Sequence, residues 1–289
     1  MTVFMFPGQG SQQIGMGAGL FDEFQDLIRI ADDILGFSIR RICLEEPEKL
    51  NQTQYTQPAL YVVEVMRYLK ELQSNSVPSH LIGHSLGELS ALYAAGAYDF
   101  ATGLRLVKKR GELMARATGG AMIAVMGAPE DEVLRILREH NIANLTIANH
   151  NSPAQMTVSG LVGDIEKATA VFEQEGYLCV RLNTSGAFHS PYMKEAMQEF
   201  SGYLKDFEFR PLQIPVIANR SALPYVDGEI KETLLEQMVS PVLWHESVRF
   251  LLDHGENTFL EIGPGTVLAG LMKRIRNAPQ ASQGIRAGS

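Results

Sequence analysis

The middle of this chain carries an order of strands and helices that differs from the order on either side of it. Between residues 121 and 182, short apolar runs typical of strands alternate with helical periods in the order βαββαβ, the ferredoxin-like order. The predicted strands are 121–127, 145–148, 155–160 and 177–182, and the predicted helices are 129–140 and 164–175. Glycine-containing segments at 119–120 and 185–186 are predicted hinges. We therefore predict a small ferredoxin-like subdomain over residues 120–188.

The segments on either side of this insertion predict a larger α/β subdomain built from two pieces, residues 1–119 and 189–276. Its predicted strands are 2–6, 80–82, 215–218 and 258–262, and its predicted helices are 20–35, 58–72, 89–97, 192–207, 229–238 and 243–254. Pro58 is predicted to lie in the first turn of its helix, where no backbone N–H is needed. Residues 277–289 lack periodicity and are predicted to be a tail.

Composition and charge exclude several classes of function. The chain has 289 residues, of which 25 are basic and 33 acidic, and its net charge of −8 disfavours binding to nucleic-acid phosphates. Cys43 and Cys179 have no partner at disulfide or metal-ligand spacing. The first residues do not resemble a signal peptide, and no apolar run approaches about 18 residues. We expect a cytoplasmic monomer that binds neither nucleic acid nor membrane.

The strongest chemical signal is the segment 83–87, Gly-His-Ser-Leu-Gly, between a predicted strand and a predicted helix. Small residues two before and two after Ser85 permit the strained turn of a nucleophile elbow, which lifts the serine Oγ out of the sheet. The helix start places the N–H of Leu86 where it would stabilise an anionic intermediate. A serine that only caps the helix is the alternative. We expect the side chain of His84 to point away from Ser85.

A nucleophilic serine needs a base, and His189 is the strongest candidate among the seven histidines. It lies where the predicted small subdomain rejoins the larger one, and such a junction is a usual place for a cleft. A histidine that caps the following helix is the alternative. No His or Cys pair has metal-ligand spacing, so no metal is expected.

Six segments occur in a specific order. They are 6–12 (Phe-Pro-Gly-Gln-Gly-Ser-Gln), 56–59 (Thr-Gln-Pro-Ala), 83–88 (Gly-His-Ser-Leu-Gly-Glu), Arg110-Gly111 with Met114, 186–189 (Gly-Ala-Phe-His) and 261–265 (Glu-Ile-Gly-Pro-Gly). Together they resemble the motifs of malonyl-CoA:acyl-carrier-protein transacylases, and the resemblance extends from Phe4 to about Arg276. Six ordered motifs are far more specific than one. The resemblance implies an α/β-hydrolase-like large subdomain with a ferredoxin-like insertion, in agreement with the order described above.

The resemblance also implies how the reacting groups are arranged. Ser85 would be the nucleophile, and His189 its general base and acid. The backbone N–H groups of Gln9 and Leu86 would form the oxyanion hole. The backbone carbonyl of Gln237 would orient His189, so that no acidic residue is needed to complete a triad.

For substrate binding, the resemblance implies that Arg110 holds the free malonyl carboxylate, while Gln57 lines the same pocket. A solvated basic side chain on a helix is the alternative for Arg110. Related acyltransferases that select malonate tend to carry His-Ala-Phe-His, and those that select methylmalonate tend to carry Tyr-Ala-Ser-His. This chain has Gly-Ala-Phe-His at 186–189. We therefore expect Phe188 to favour malonyl over methylmalonyl groups.

The implied reaction is a ping-pong transfer of a malonyl group from malonyl-CoA to the phosphopantetheine thiol of an acyl carrier protein. It would serve fatty-acid or polyketide synthesis, and it needs no bound cofactor, because coenzyme A enters as the thioester substrate. An acyl hydrolase that clears stalled carriers is one alternative, and a non-catalytic carrier-docking module is another.

Both implied partners are anionic, although the chain itself has a net charge of −8. Local basic groups must therefore receive them, because whole-molecule attraction is absent. The candidates are Lys108, Lys109, Lys273, Arg274 and Arg276.

Overall fold

Four parallel strands form the central sheet of the protein, in the order β7-β2-β1-β8. The structure, a computed structural model, describes residues 2–74 and 77–278. The strands are β1 (Thr2–Phe6), β2 (His80–Gly83), β7 (Val216–Ile217) and β8 (Thr258–Glu261). Successive side chains of β1 enter two different cores, because Phe4 and Phe6 face one side of the sheet while Val3 and Met5 face the other. This burial on both faces explains why the strand is a continuous apolar run.

Helices cover both faces of this sheet. Their bounds are α1 (Gln25–Leu35), α2 (Ile39–Glu45), α3 (Pro47–Leu50), α4 (Thr53–Leu72), α5 (Gly87–Ala94), α6 (Phe100–Arg116), α9 (Lys194–Leu204), α10 (Ile230–Gln237), α11 (Trp244–Asp253) and α12 (Val267–Asn277). The core that contains Phe4 includes α4 and α6, and the core that contains Val3 includes α11 and α12. None of the helices described here combines the length and apolar character needed to cross a bilayer. The expected monomeric state and cytoplasmic location stay predictions.

The second sheet is antiparallel and has the order β4-β5-β3-β6. Its strands are β3 (Gly120–Met126), β4 (Thr146–Ser152), β5 (Gln155–Leu161) and β6 (Leu178–Arg181), with helices α7 (Glu130–Glu139) and α8 (Val162–Gln174). A separate core that includes Ile123, Val158 and Phe172 lies between sheet and helices. The predicted fold class, an α/β unit with a ferredoxin-like insertion, is confirmed. The boundaries at 119–120 and 188–189 stay predictions.

Several predicted element bounds were wrong. Helix α4 begins at Thr53, so Pro58 lies inside the helix instead of in its first turn. Its first turns are polar in sequence although Thr56 and Gln57 are buried, and apolar periodicity therefore missed them. Helices α2, α3 and α12 were not predicted, and α6 was given no bounds. Helix α12 runs to Asn277, and the rest of the predicted tail, 279–289, lies outside the described residues.

Candidate active site

Ser85 occupies a sharp turn between β2 and α5, with a backbone φ of +53° in the left-handed region. The flanking glycines permit this turn, since a Cβ on Gly83 would lie 2.0 Å from the carbonyl carbon of Gly87. A Cβ on Gly87 would likewise lie 2.0 Å from the carbonyl oxygen of Phe6. Asn219 fixes the turn, because its Oδ1 accepts the Ser85 N–H at 2.7 Å and its Nδ2 donates to the Gly83 carbonyl at 2.6 Å. The geometry is that of a nucleophile elbow.

His189 lies against the Ser85 hydroxyl, with its Nε2 2.7 Å from Oγ. Its Nδ1 lies 2.9 Å from the backbone carbonyl oxygen of Gln237. Because a carbonyl only accepts, Nδ1 carries the proton and Nε2 accepts from the serine hydroxyl. Burial, together with the positive charge of Arg110, lowers the pKa of His189 to about 3. The imidazole is therefore neutral near pH 7 and able to accept a proton.

Two backbone N–H groups at the elbow are free to donate. Neither the Gln9 nor the Leu86 amide has a hydrogen-bond acceptor within residues 2–74 and 77–278. The loop that carries Gln9 touches the elbow, because a Cβ on Gly8 would lie 2.4 Å from the His84 carbonyl oxygen. Leu86 is the residue that precedes the first turn of α5, whose N-terminus favours negative charge. Both amides are thus available to a developing oxyanion.

The side chain of His84 turns away from Ser85, as expected. Its ring packs against the indole of Trp244 with the ring centres 5.6 Å apart, and its Nε2 lies 2.9 Å from Asn151 Oδ1. His84 therefore joins the elbow to β4 of the smaller sheet.

Arg110 is a buried cation next to the candidate nucleophile. Only 1% of its side chain is exposed, and its Nη2 donates to Ser85 Oγ at 3.3 Å. Its other acceptors are the amide oxygens of Gln57 and Gln237, each at 2.8 Å. All three partners are uncharged, and the buried Nε has no partner in the part of the chain that the structure describes. Desolvation lowers the pKa of Arg110 to about 10, while the carboxylate of Glu88 opposes this shift, so the group stays cationic near neutral pH.

Close packing of α6 on α4 brings Arg110 to its position next to Ser85. Gly103 of α6 lies against α4, since a Cβ there would come within 2.0 Å of the Tyr61 hydroxyl oxygen. The missing side chain lets the two helices approach, so that Arg110 reaches Gln57 on α4. A glycine inside a helix costs about 1 kcal/mol of helix propensity, which is offset here by the closer packing.

Sequence analysis missed two polar groups beneath the site. It gave a role only to the backbone carbonyl of Gln237, yet the side-chain Nε2 of this residue donates to the Ser85 carbonyl oxygen at 2.8 Å and also to Glu88 Oε2. Glu88 was assigned no role, although it lies three residues after Ser85 and is completely buried. Its sequence signal is an acidic residue in the first turn of a helix that is otherwise apolar except for Ser90. Such a residue needs buried hydrogen-bond donors.

Phe188 packs in the main core and is 5% exposed. At Gly186, where the sequence departs from the family pattern, a Cβ would lie 2.9 Å from Phe188 Cε1 and 3.0 Å from Ala117 Cβ. A larger residue at 186 would force the phenyl ring to shift. Gly186 therefore makes room for the present orientation of Phe188.

The predicted site residues thus divide into three groups. The structure joins Ser85, His189, Arg110, Gln57 and Gln237 in one hydrogen-bonded cluster. The backbones of Gln9 and Leu86 adjoin this cluster. Phe188 instead packs in the main hydrophobic core. Within the described ranges, no group of three His, Cys, Asp or Glu side chains is placed to hold a metal ion.

The basic residues predicted to receive anionic partners lie on two helices. Lys108 and Lys109 are on α6, and Lys273, Arg274 and Arg276 are on α12. Lys108 Nζ donates to the Ile34 carbonyl at 2.8 Å, and Lys109 lies over the ring of Tyr203. Lys273 and Arg274 line a cavity of about 770 Å³ between α12 and the turn that joins β4 to β5. Their role in binding stays a prediction.

Comparison with known proteins identifies the family. The model of the family described as "Acyl transferase domain" matches residues 3–285. The chain belongs to the acyl transferase family. This acyltransferase is 54% identical to the polyketide biosynthesis protein PksE of Bacillus subtilis over 96% of its own length, but it spans only 37% of PksE. It is 52% identical to the polyketide biosynthesis malonyl CoA-acyl carrier protein transacylase BaeC of Bacillus velezensis, over 98% of this chain and 99% of BaeC.

Solved structures of relatives have the same fold. A malonyl CoA-acyl carrier protein transacylase from Burkholderia pseudomallei superposes with a TM-score of 0.94 at 47% identity, over 96% of this chain and 99% of that chain. A complex named PlMCAT:AntF, described as a type II PKS acyl-carrier protein with its malonyl-transacylase, gives a TM-score of 0.90 at 36% identity, over 96% and 93%. These matches confirm the family resemblance stated from the motifs.

Proposed function

We propose that this acyltransferase moves a malonyl group from malonyl-CoA to the phosphopantetheine thiol of an acyl carrier protein. The observation that carries the proposal is the buried guanidinium of Arg110, which lies 3.3 Å from Ser85 Oγ and whose hydrogen-bond partners among the described residues are all uncharged. A buried cation with no carboxylate in direct contact is costly, and a substrate carboxylate would supply such a contact. The names of BaeC and of the Burkholderia pseudomallei relative support the same substrate and partner.

The first half-reaction transfers the malonyl group to Ser85. The Ser85 Oγ–H proton passes to His189 Nε2 as Oγ attacks the thioester carbonyl carbon. The oxyanion that forms accepts hydrogen bonds from the Gln9 and Leu86 amides. Collapse of this intermediate breaks the C–S bond, and the leaving thiolate of coenzyme A takes the proton from His189. A malonyl ester on Ser85 remains.

The second half-reaction runs through the same groups. The carrier's phosphopantetheine thiol gives its proton to His189 Nε2, and the sulfur attacks the ester carbonyl carbon. The C–Oγ bond breaks, and Ser85 Oγ recovers the proton. Arg110 holds the malonyl carboxylate in both halves, through a charge-assisted contact worth about 1.5–3 kcal/mol. Acetyl-CoA would leave this guanidinium unpaired and is therefore a poor substrate.

The names of the relatives indicate the pathway that the transferred malonyl group would supply. PksE and BaeC, at 54% and 52% identity, both carry polyketide biosynthesis in their names. Relatives named only malonyl CoA-acyl carrier protein transacylase, such as that of Synechocystis, are 40% identical. These identities favour a role in polyketide synthesis over one in fatty-acid synthesis.

The test is to incubate the protein with labelled malonyl-CoA in the presence and absence of a phosphopantetheinylated carrier protein. We expect the label on the carrier, and on the enzyme alone when no carrier is added. Free malonate as the sole product would favour a hydrolase instead. The absence of any labelled enzyme would favour a docking module. The Ser85→Ala variant is the control, because it removes the hydroxyl that would carry the malonyl group.

A further inference from the structure

Glu88 is the point at which three separate hydrogen bonds beneath the site converge. It lies in the first turn of α5 and has no exposed surface. Its Oε1 accepts from the Tyr225 hydroxyl at 2.6 Å and from the Asn219 backbone N–H at 3.1 Å. Its Oε2 accepts from the side-chain Nε2 of Gln237. Both oxygens therefore act as acceptors, which is the behaviour of a carboxylate.

The direction of the Gln237 amide follows from this arrangement. An amide has one accepting and one donating end, and the two ends are distinguished by their partners. In its ionised form Glu88 can only accept, so it takes the Nε2 end. The Oε1 end is then left for Arg110, whose Nη2 donates to it at 2.8 Å. Arg110 can only donate, so both ends of Gln237 are matched in one orientation and mismatched in the other.

We infer that Glu88 is a positioning residue for carboxylate recognition: it orients the side chain of Gln237, and Gln237 in turn holds the guanidinium of Arg110 beside Ser85. Glu88 touches no reacting atom in this scheme. It acts through the amide of Gln237, while the backbone carbonyl of Gln237 separately orients His189. The inference rests on the proposed function, because it assigns Arg110 to the malonyl carboxylate.

The substitution Glu88→Gln tests the inference with almost no change of shape. The Tyr225 and Asn219 donors both need an oxygen at the Oε1 position, so the new NH₂ group takes the Oε2 position. It then faces the NH₂ group of Gln237, and two donors cannot pair. The Ser85 carbonyl is then the one acceptor left for Gln237 Nε2 among the contacts described above, and the amide must flip or move to separate the two donors. In either case Arg110 loses Gln237 as an acceptor and keeps its contacts with Gln57 and Ser85.

The readout is the rate of Ser85 acylation by malonyl-CoA compared with acetyl-CoA, measured by intact mass in single-turnover experiments. Acetyl-CoA has no carboxylate for Arg110 to bind. In Glu88→Gln we expect the malonyl rate to fall by about tenfold or more and the acetyl rate to change by less than about threefold, a loss typical of one buried charged hydrogen bond. The malonyl-to-acetyl ratio therefore falls. A general structural defect would lower both rates together and leave the ratio unchanged.

Glu64→Gln is the matched control. Glu64 is as completely buried as Glu88, but its hydrogen-bond donor is Ser90 of α5, and Glu64 has no hydrogen bond to Gln237 or Arg110 among the described residues. We expect this variant to keep the wild-type ratio. A second test variant, Gln237→Leu, retains the backbone carbonyl that orients His189 and removes the amide, so it should lower the ratio as well. If Glu88→Gln fails to fold, Gln237→Leu gives the same measurement.

A double-mutant cycle completes the design. Because Glu88 acts through the Gln237 amide, Glu88→Gln should lower the ratio little further once Gln237→Leu is present. Equal loss of both rates, an unchanged ratio in the single variants, or additive losses in the double variant would overturn the inference. Wild-type protein that forms no malonyl ester would instead refute the proposed function, and the inference with it.

Discussion

Two buried glutamates illustrate how differently this protein uses the same side chain. Glu64 of α4 and Glu88 of α5 are both completely buried. Glu64 accepts one hydrogen bond, from Ser90, and its Oε1 has no partner among the described residues. Glu88 accepts from three donors and connects through Gln237 to Arg110. Glu64 thus has a single hydrogen-bond donor among the described residues, whereas Glu88 belongs to the polar network under Ser85.

The two pKa values reflect this difference. Burial raises the pKa of Glu64 well above its usual value, and its one hydrogen bond opposes the shift only weakly. Burial also raises the pKa of Glu88, but only to about 7, because its donors and Arg110 stabilise the charged form. Glu64 therefore keeps its proton to a higher pH than an exposed glutamate does, whereas Glu88 titrates near neutral pH. The ionised form of a buried carboxyl is therefore stabilised where several donors converge on it, as they do on Glu88 beside the site.

The largest expected effect is a difference in the acylation rate between substitutions of two serines, Ser85 at the elbow and Ser90 in α5. Ser85→Ala removes the nucleophile, and we expect acylation by malonyl-CoA to fall by at least about a thousandfold. Ser90→Ala removes only the partner of Glu64 and should leave acylation near the wild-type rate. Intact mass after mixing with malonyl-CoA measures both. Persistent acylation of Ser85→Ala would show that another residue carries the acyl group.

The next effect compares two arginines of α6. Arg110→Ala should lower kcat/KM for malonyl-CoA by about a hundredfold, because a buried charge-assisted contact is lost. Arg116→Ala, in the last turn, removes an exposed pair with Glu199 and should change kcat/KM by less than about twofold. Steady-state kinetics with a carrier protein provide the comparison. Similar losses in the two variants would remove Arg110 from its proposed role.

Sequence patterns predicted those parts of the site that depend on neighbouring residues. The elbow at Ser85 was predicted because strand, glycine turn and helix follow one another directly in the chain. The base, His189, lies 104 residues away and was assigned from its place at a subdomain junction and from the family motif. Its contact with Ser85 depends on how α10 and the loop before α9 pack, which no local pattern specifies.

The network under the site could not be predicted, because it consists of contacts between distant segments. Glu88 meets Asn219 and Tyr225, which lie 131 and 137 residues further along the chain. Helix α6 was given no bounds, since glycines at 103 and 111 weaken its helical signal. The structure shows that Gly103 is where α4 approaches closely. The glycines that weaken the helical pattern of α6 thus include Gly103, which allows α6 to pack closely on α4.

A smaller effect, on the choice between malonyl-CoA and methylmalonyl-CoA, is expected at Phe188, the residue before His189 in the chain. Phe188→Ser should raise kcat/KM for methylmalonyl-CoA relative to malonyl-CoA by about tenfold, because a methyl group in a pocket is worth about 1–3 kcal/mol. Competition between the two thioesters, read by mass, gives the ratio directly. Equal use of both substrates by the wild-type protein would contradict the predicted role of Phe188 in selectivity.

Glu64→Gln is expected to have the smallest effect on catalysis and a measurable effect on the free energy of unfolding. The folded-state pKa of Glu64 lies above its unfolded value, so its contribution to stability is fully present below pH 4.5 and is lost as the pH rises through the folded pKa. Glutamine does not titrate and avoids this loss. The free energy of unfolding of the variant, relative to wild type, should therefore rise between pH 4.5 and 8, by at most about 1.4 kcal/mol per pH unit. Urea unfolding at several pH values measures it, and a difference that does not change with pH would contradict the raised pKa of Glu64.

The central claim is that Ser85 carries the malonyl group between the two partners. Its most direct test is to quench the wild-type protein with acid after mixing with malonyl-CoA, digest it, and locate the added mass by peptide sequencing. We predict a malonyl ester on Ser85, which disappears when a carrier protein with a free phosphopantetheine thiol is added before the quench. An adduct on any other residue, or an ester on Ser85 that the carrier thiol does not remove, would contradict this account.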